Sequence, residues 1–407
     1  MQGARRAEIA IVIPSFADTG GINSVAEFVI RTIRRRDDLS FRVVSLATWW
    51  RDPVSTRLTD PATWIKGVTT RNGSAHGVPF IHVGATMAEF ETQRLKPRKE
   101  LAALLEGCDL IQVLAGTPAW ILSVVGLGKP IIASIATTVE LERRRPLAQA
   151  RGLLGLWRKI STRQVVSLDK IALASADALL VMNPDMMRLG ERLNAERGAL
   201  VRYAPPGIDT DLFRPRADGQ PASDYILTVG RLDDSRKNIG MLLEAFALVC
   251  ERCPPSFKLV LAGAGAPTTD DWKRIDELKI TDRVEFISKP SPETLSKLYR
   301  NAAAFALSSD EEGFGMVVVE AMSSGTPVVA TRCGGPEAIV TDGLDGYLVD
   351  RGDVRAMADR LLAVVMDRDM AARIGQAARR TVENRYADDV AGDVFLDVYD
   401  HFLAKRA

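Results

Sequence analysis

Cysteine, histidine, aromatic residues and long apolar runs are all scarce in this chain, and each scarcity removes a class of protein. The 407 residues include four cysteines, Cys108, Cys250, Cys253 and Cys333, too few and too scattered for a disulfide scaffold. Cys250 and Cys253 form a CxxC, but it ends an apolar helical pattern and no second ligand pair accompanies it, so neither zinc nor redox chemistry is expected. The three histidines, His76, His82 and His401, fall in no motif and read as surface or packing residues rather than bases. Aromatics make up 6% of the chain, and without a helix-turn-helix, zinc-finger or aromatic stacking pattern nucleic acid is not an expected partner. No stretch approaches the roughly 20 apolar residues of a membrane span. The amino terminus runs into a strand with no cleavage-type region, so the cytoplasm is the expected location.

What remains is an ordinary enzyme-like composition, 46% hydrophobic and 26% charged, long enough for two cores. The net charge of +1 conceals an asymmetry: residues 1–205 carry 28 basic and 19 acidic side chains, a net of +9, and residues 206–407 carry 25 and 33, a net of −8. The first half is therefore suited to an anionic partner, whereas the second would need a few local cations to hold one.

The most informative stretch is Ser308 to Thr331, SSDEEGFGMVVVEAMSSGTPVVAT. Apolar runs precede and close it, giving strand, glycine turn, helix and strand, as in an open α/β sheet. Ligands of such sheets bind beyond the carboxyl ends of the strands, where the next helix offers unpaired N–H groups to an anion. Glu312 and Glu320 bracket this turn with seven residues between them. A helix of that length separates their backbones by roughly 12 Å, more than the about 5 to 9.5 Å of paired glycosidase carboxylates. Each glutamate is better read as binding a different hydroxyl-rich part of one long ligand, a sugar nucleotide, with Gly313 and Gly315 admitting an anion between them. A plain surface loop and helix with solvated glutamates is the competing reading.

The EGFG and MVVVEAMSSGTPVVAT segments resemble the E-x7-E signature of the retaining GT-B glycosyltransferases of family four. By that resemblance Glu312 touches the transferred sugar and Glu320 the ribose, while Gly313, Phe314, Gly315 and Met316 line the donor, with backbone groups of Gly315 and Met316 near the diphosphate. Arg231 and Lys237, in GRLDDSRKN, match a family loop that holds the leaving diphosphate, a task suited to a forked guanidinium and a compact ammonium. Gly20 and Gly21, in DTGGIN, match a loop that faces the donor phosphates and the acceptor; a tight strand-to-helix turn is their alternative reading. Ser288 stands where the family often has glycine and where the base lies. Two departures are visible. Ser308 stands where the family often has proline, and Ala136, Thr137 and Thr138 stand where many relatives have a histidine.

The resemblance implies two Rossmann-like doubly wound domains facing a central cleft. Residues 1–205 would form the acceptor-side domain and 206–385 the donor domain, with a terminal helix within 386–407 crossing back to the first. Elsewhere the chain adds detail. Residues 47–78 read as irregular excursions, Glu91 to Glu106 as one helix, and APPGIDTDLFRPRADGQPASD as an interdomain linker. Asp209 and Asp211 spell a D-x-D, but in linker context it reads as a decoy. Between Arg143 and Ile160, Leu153, Leu156, Trp157 and Ile160 share one helical face, with basic Arg151, Arg158 and Lys159 on the other and Arg143, Arg144 and Arg145 ahead. Docking on its own domain and peripheral contact with an anionic membrane both remain open.

The expected activity is transfer of a hexose-type sugar from a UDP- or GDP-type donor to a sugar, glycan or lipid-linked acceptor. Arg231, Lys237 and Glu312 would be catalytic, with no metal or cofactor. A sugar-nucleotide epimerase and a non-catalytic sugar-nucleotide-binding protein are the alternatives.

Overall fold

A computed structural model describes residues 5–16, 21–149, 151–217, 220 and 222–405. The chain divides into two compact units, residues 1–206 with 391–407, and residues 207–390.

The first unit is built on eight strands among the described residues: β1 (Ala7–Pro14), β2 (Leu39–Leu46), β3 (Thr70–Ala75), β4 (Val78–Val83), β5 (Leu110–Ala115), β6 (Ile131–Ile135), β7 (Ala178–Val181) and β8 (Leu200–Tyr203). Their order is β3-β4-β2-β1-β5-β6-β7-β8. All pairs are parallel except β3 with β4. Ile9 to Ile13 of β1 are completely buried, as a parallel sheet covered on both faces requires. The first helix, Gly21–Arg34, buries Val25, Phe28, Val29 and Ile33, the apolar stripe visible in the sequence. The terminal helix, Asp388–Ala404, joins the same core: Phe395 packs edge-on to Phe28 at 5.2 Å, and the Tyr399 hydroxyl donates to Gln112 Oε1.

Three readings need correction in this unit. Residues 47–78 are not wholly irregular: they hold the helix Ala62–Lys66 and the edge strand β3, whose polar sequence TRNGSA gives no alternating signal. A two-residue turn at His76 and Gly77, with φ 53° and 70°, joins β3 to β4. The expected helix over 91–106 is two, Glu91–Arg94 and Lys99–Leu105, because Pro97 cannot supply an interior N–H. The basic amphipathic stretch likewise divides into Arg144–Gln149 and Gly152–Leu173.

The second unit has six strands among the described residues: β9 (Tyr225–Val229), β10 (Lys258–Gly263), β11 (Val284–Ser288), β12 (Ala304–Leu307), β13 (Val328–Thr331) and β14 (Tyr347–Val349). They run parallel in the order β11-β10-β9-β12-β13-β14. The chain thus builds outward from β9 to β11, then returns to place β12 on the other side of β9. That reversal opens a crevice beyond the carboxyl ends of β9 and β12.

The expected linker is largely part of this unit. Phe213 is buried against Tyr299, the Ser323 hydroxyl donates to its carbonyl, and Arg216 donates to the Arg300 carbonyl. Asp209 Oδ1 accepts the N–H groups of Asp211 and Leu212, so its carboxylate shapes a turn.

Candidate active site

The β9–β12 crevice brings together two motifs more than seventy residues apart. The loop after β9 carries Arg231, Asp234, Arg236 and Lys237; the loop after β12 carries Ser308, Ser309, Asp310 and Glu312. Backbone and side-chain bonds join them: Asp310 N–H donates to the Arg236 carbonyl at 2.8 Å, the Ser308 hydroxyl to the Lys237 carbonyl at 2.9 Å, and Asn238 Nδ2 to Asp310 Oδ1 at 2.9 Å. Asn238 itself sits at φ 47°, a left-handed conformation that asparagine tolerates, and this ends the tight turn Ser235–Lys237.

The result is a shielded ion pair. Lys237 Nζ lies 2.5 Å from Glu312 Oε1, with side-chain exposures of 17% and 13%. The Ser309 hydroxyl donates to the same oxygen at 2.7 Å. The Glu312 backbone is pinned from the other side, its N–H donating to Cys333 O and its carbonyl accepting from Gly335 N–H. Arg231 is 55% exposed and reaches Asp234 Oδ2 at 3.3 Å. Burial pushes the Asp234 carboxyl up, but the hydrogen bonds and charge of Arg236 win and hold it at about 2. Asp234 also accepts the Arg236 N–H, and so fixes the turn from which Lys237 projects.

Gly315, at φ 103°, leads into the helix Met316–Ser323. A residue with a Cβ would be strained at that angle, and the first N–H groups of the helix have no intrahelical acceptor. The ring of Phe314 is buried against Tyr386 at 5.7 Å, and the chain at Gly335 passes so close that a Cβ there would lie 1.9 Å from the Phe314 carbonyl oxygen. It anchors the loop, leaving only its backbone for a ligand. Glu320 lies one helix away from Glu312 in separate company. Its Oε2 accepts the Tyr299 hydroxyl at 2.6 Å, and burial raises its carboxyl to about 7. The two glutamates share no partner among the described residues, consistent with two separate contacts.

Residues 211–381 match the family described as glycosyl transferases group 1. Among curated relatives, the D-inositol 3-phosphate glycosyltransferase of Corynebacterium jeikeium is 28% identical over 90% of this chain and 88% of its own length. That of Mycolicibacterium smegmatis is 33% identical over 61% of this chain and 56% of its own. Sucrose-phosphate synthase from Thermosynechococcus elongatus superposes with a TM-score of 0.72 at 21% identity, covering 98% of this chain and 100% of its own. Anabaena HepE, solved in complex with UDP and glucose, gives 0.70 at 18%, covering 97% and 100%. Residues 211–381 thus carry a glycosyl transferase group 1 domain, and the fold is GT-B.

The remaining expected donor residues are more dispersed. Ser288 is exposed at the end of β11, two strands from β9 and therefore about 10 Å along the same rim. Gly21 begins the first helix of the other unit, where a Cβ would meet no atom within 4 Å, so crowding does not demand glycine there. Gly20 lies outside the described residues, as do Asp18 and Thr19. Sequence reasoning passed over Ser309, Asp234, Arg236 and Tyr299. Ser309 and Asp234 lie inside recognised loops and could have been found as partners of Glu312 and Arg236. Tyr299 sits in the helical run TLSKLYRNA and looks there like any apolar residue.

Proposed function

We propose that this glycosyltransferase moves a hexose-type sugar from a UDP- or GDP-sugar to an acceptor hydroxyl with retention at the anomeric carbon and without a metal ion. The observation that carries the reading is the Lys237–Glu312 pair at the point where strand order reverses, beside Arg231 and the amino end of the helix Met316–Ser323. An arriving diphosphate draws on Lys237 and Arg231, and Glu312 is released toward the sugar hydroxyls. In the reaction the bond between the anomeric carbon and the diphosphate oxygen breaks, the acceptor oxygen bonds to that carbon on the same face, and the acceptor proton passes to the leaving phosphate. Charge grows on the phosphate as it departs, and pre-placed cations and N–H dipoles stabilise that charge without reorganising. HepE has been solved with UDP-glucose, which favours a UDP-sugar among the donors. The acceptor is a sugar, a glycan, a lipid-linked glycan or, following the relatives' name, a phosphorylated cyclitol. Cell-surface polysaccharide or glycolipid synthesis in the cytoplasm fits these acceptors.

The test is product analysis by proton NMR after incubation of nucleotide sugars and an acceptor panel in excess EDTA. An α-linked product from an α-linked donor supports the proposal. Inverted product contradicts retention, turnover that needs added Mg²⁺ or Mn²⁺ contradicts metal independence, and an epimerised nucleotide sugar formed without acceptor favours the epimerase.

One observation favours a membrane-proximal version of this reading. Leu156, Trp157 and Ile160 are 56%, 60% and 43% exposed on the helix Gly152–Leu173, with Arg158 and Lys159 exposed beside them. These apolar residues point outward, because Gly155, Thr162, Val165 and Asp169 take the inward face. Exposed aromatic and aliphatic residues mixed with basic ones suit an anionic lipid surface, where a lipid-linked acceptor would be met. Arg143 does not belong to that surface, being held by Glu91 and close to the Thr162 hydroxyl. The side chains of Arg145 and Leu153 are outside the described set.

A further inference from the structure

Glu320 has a neighbour that no sequence pattern assigns. Tyr299, on the helix Pro292–Asn301, is completely buried between Phe213 and Phe305, with ring centroids at 5.9 and 5.5 Å. The Thr326 hydroxyl donates to its carbonyl at 2.6 Å, which fixes the backbone as well. From this immobile position the phenol donates to Glu320 Oε2 at 2.6 Å. Glu320 is itself partly exposed, and among the described residues no hydrogen-bond donor engages its Oε1.

We propose that Tyr299 is a positioning residue for donor binding: by occupying one carboxylate oxygen of Glu320 it presents the other, in a fixed direction and in its charged form, to the ribose hydroxyls of the nucleotide. This rests on the donor-site reading of the preceding section and names the device that orients one of its contacts. A carboxylate on a single-turn-exposed helix face has several rotamers, and a hydrogen bond to a rigid phenol selects one. The same bond opposes the desolvation that favours the neutral acid, so its loss favours protonation. Charged groups on the elements packed against the Glu320 helix are engaged elsewhere. Arg379, on the packed helix Arg368–Arg385, donates to the carbonyls of Thr210, Phe213 and Ser323; Arg300 donates to Arg214 O and Ser296 Oγ; Glu337 accepts the Gly334 N–H.

The experiment is calorimetric titration of UDP, GDP and ADP between pH 6 and pH 9 into the wild type, Tyr299→Phe and Glu320→Gln, continued with whichever nucleotide binds most tightly. Glu320→Gln cannot titrate at this position and so isolates the contribution of the nucleotide's own phosphate. Tyr299→Phe is expected to bind about tenfold more weakly at pH 6, corresponding to roughly one unit of upward displacement of the acid limb, and to approach wild-type affinity at pH 9. With the 2′-deoxy nucleotide the Tyr299→Phe difference shrinks. An unshifted acid limb in Tyr299→Phe, even with a lowered thermal midpoint, means that the phenol only packs, and overturns the positioning role while Glu320→Gln still binds weakly. Unchanged affinity in Glu320→Gln, or no binding of any of the three nucleotides, overturns the donor-site reading beneath it.

Discussion

Lys237 and Glu312 are each largely buried, and either one alone would be a desolvated, unpaired charge. Removing one partner of such a pair costs about 3 kcal/mol, because the other charge is stranded. Lys237→Met is therefore expected to lower unfolding stability by roughly that amount in urea titration, and the double variant Lys237→Met/Glu312→Gln to regain at least half of it. Equal losses in the single and double variants would show that the pair stabilises nothing as a pair. Legibility at this scale followed chemistry. Glu312, Lys237 and Arg231 stood out because charged residues at glycine turns are conspicuous, while Tyr299 acts through a hydroxyl on an otherwise apolar helix face and gave no signal. Phe314 was placed along the donor by resemblance alone, which did not reveal that its ring fills the core against Tyr386.

The elements of the first unit contain a second carboxylate whose burial matters. Asp169, on the long helix Gly152–Leu173, is 3% exposed and accepts the N–H groups of Ala119 and Val139, tying together the segments that follow β5 and β6. Burial pushes its carboxyl up to about 6, and the two N–H groups only partly offset this. Because the folded value is raised above the unfolded one, near 3.9, the native state holds this proton more tightly. The stability it contributes is present at low pH and is lost as pH rises through about 6, by about 3 kcal/mol in total. Asp169→Asn removes that component. Its stability relative to the wild type, followed by urea unfolding from pH 4.5 to 7.5, is expected to improve with rising pH. A constant difference would mean that Asp169 does not titrate in this window. On the same helix, Trp157 and its basic neighbours are expected to give salt-sensitive co-sedimentation with phosphatidylglycerol vesicles, reduced by Trp157→Ser with Arg158→Ser. Absence of binding at low salt would leave a soluble acceptor as the better reading. The apolar spacing of this helix was legible but the direction it faces was not, because glycine, threonine and aspartate can pack inward when space is tight or N–H groups need acceptors.

Across the whole molecule, the two parallel sheets could be read from short apolar strands ending in glycine turns and followed by helical periodicity. That signal is strong where both faces of a sheet are covered, as at β1 and β9. It fails at β3, where an exposed edge strand is held by backbone pairing alone, and at the Pro-rich stretch after Tyr203, where turn-forming composition suggested a linker although Phe213 and Arg216 dock on the second unit. The charge asymmetry survives as a property of the sequence: the acidic second half gathers Arg231, Arg236 and Lys237 within seven residues at the carboxyl end of β9. The central claim is that this local concentration of cations holds a nucleotide diphosphate. Calorimetric titration of UDP, GDP and ADP into the wild type and Lys237→Met, with the variant's fold verified by circular dichroism, tests it most directly. The account predicts that at least one nucleotide binds the wild type and that a folded Lys237→Met loses about tenfold or more in affinity, as loss of a charge-assisted contact requires. Equal affinity for wild type and variant would contradict it.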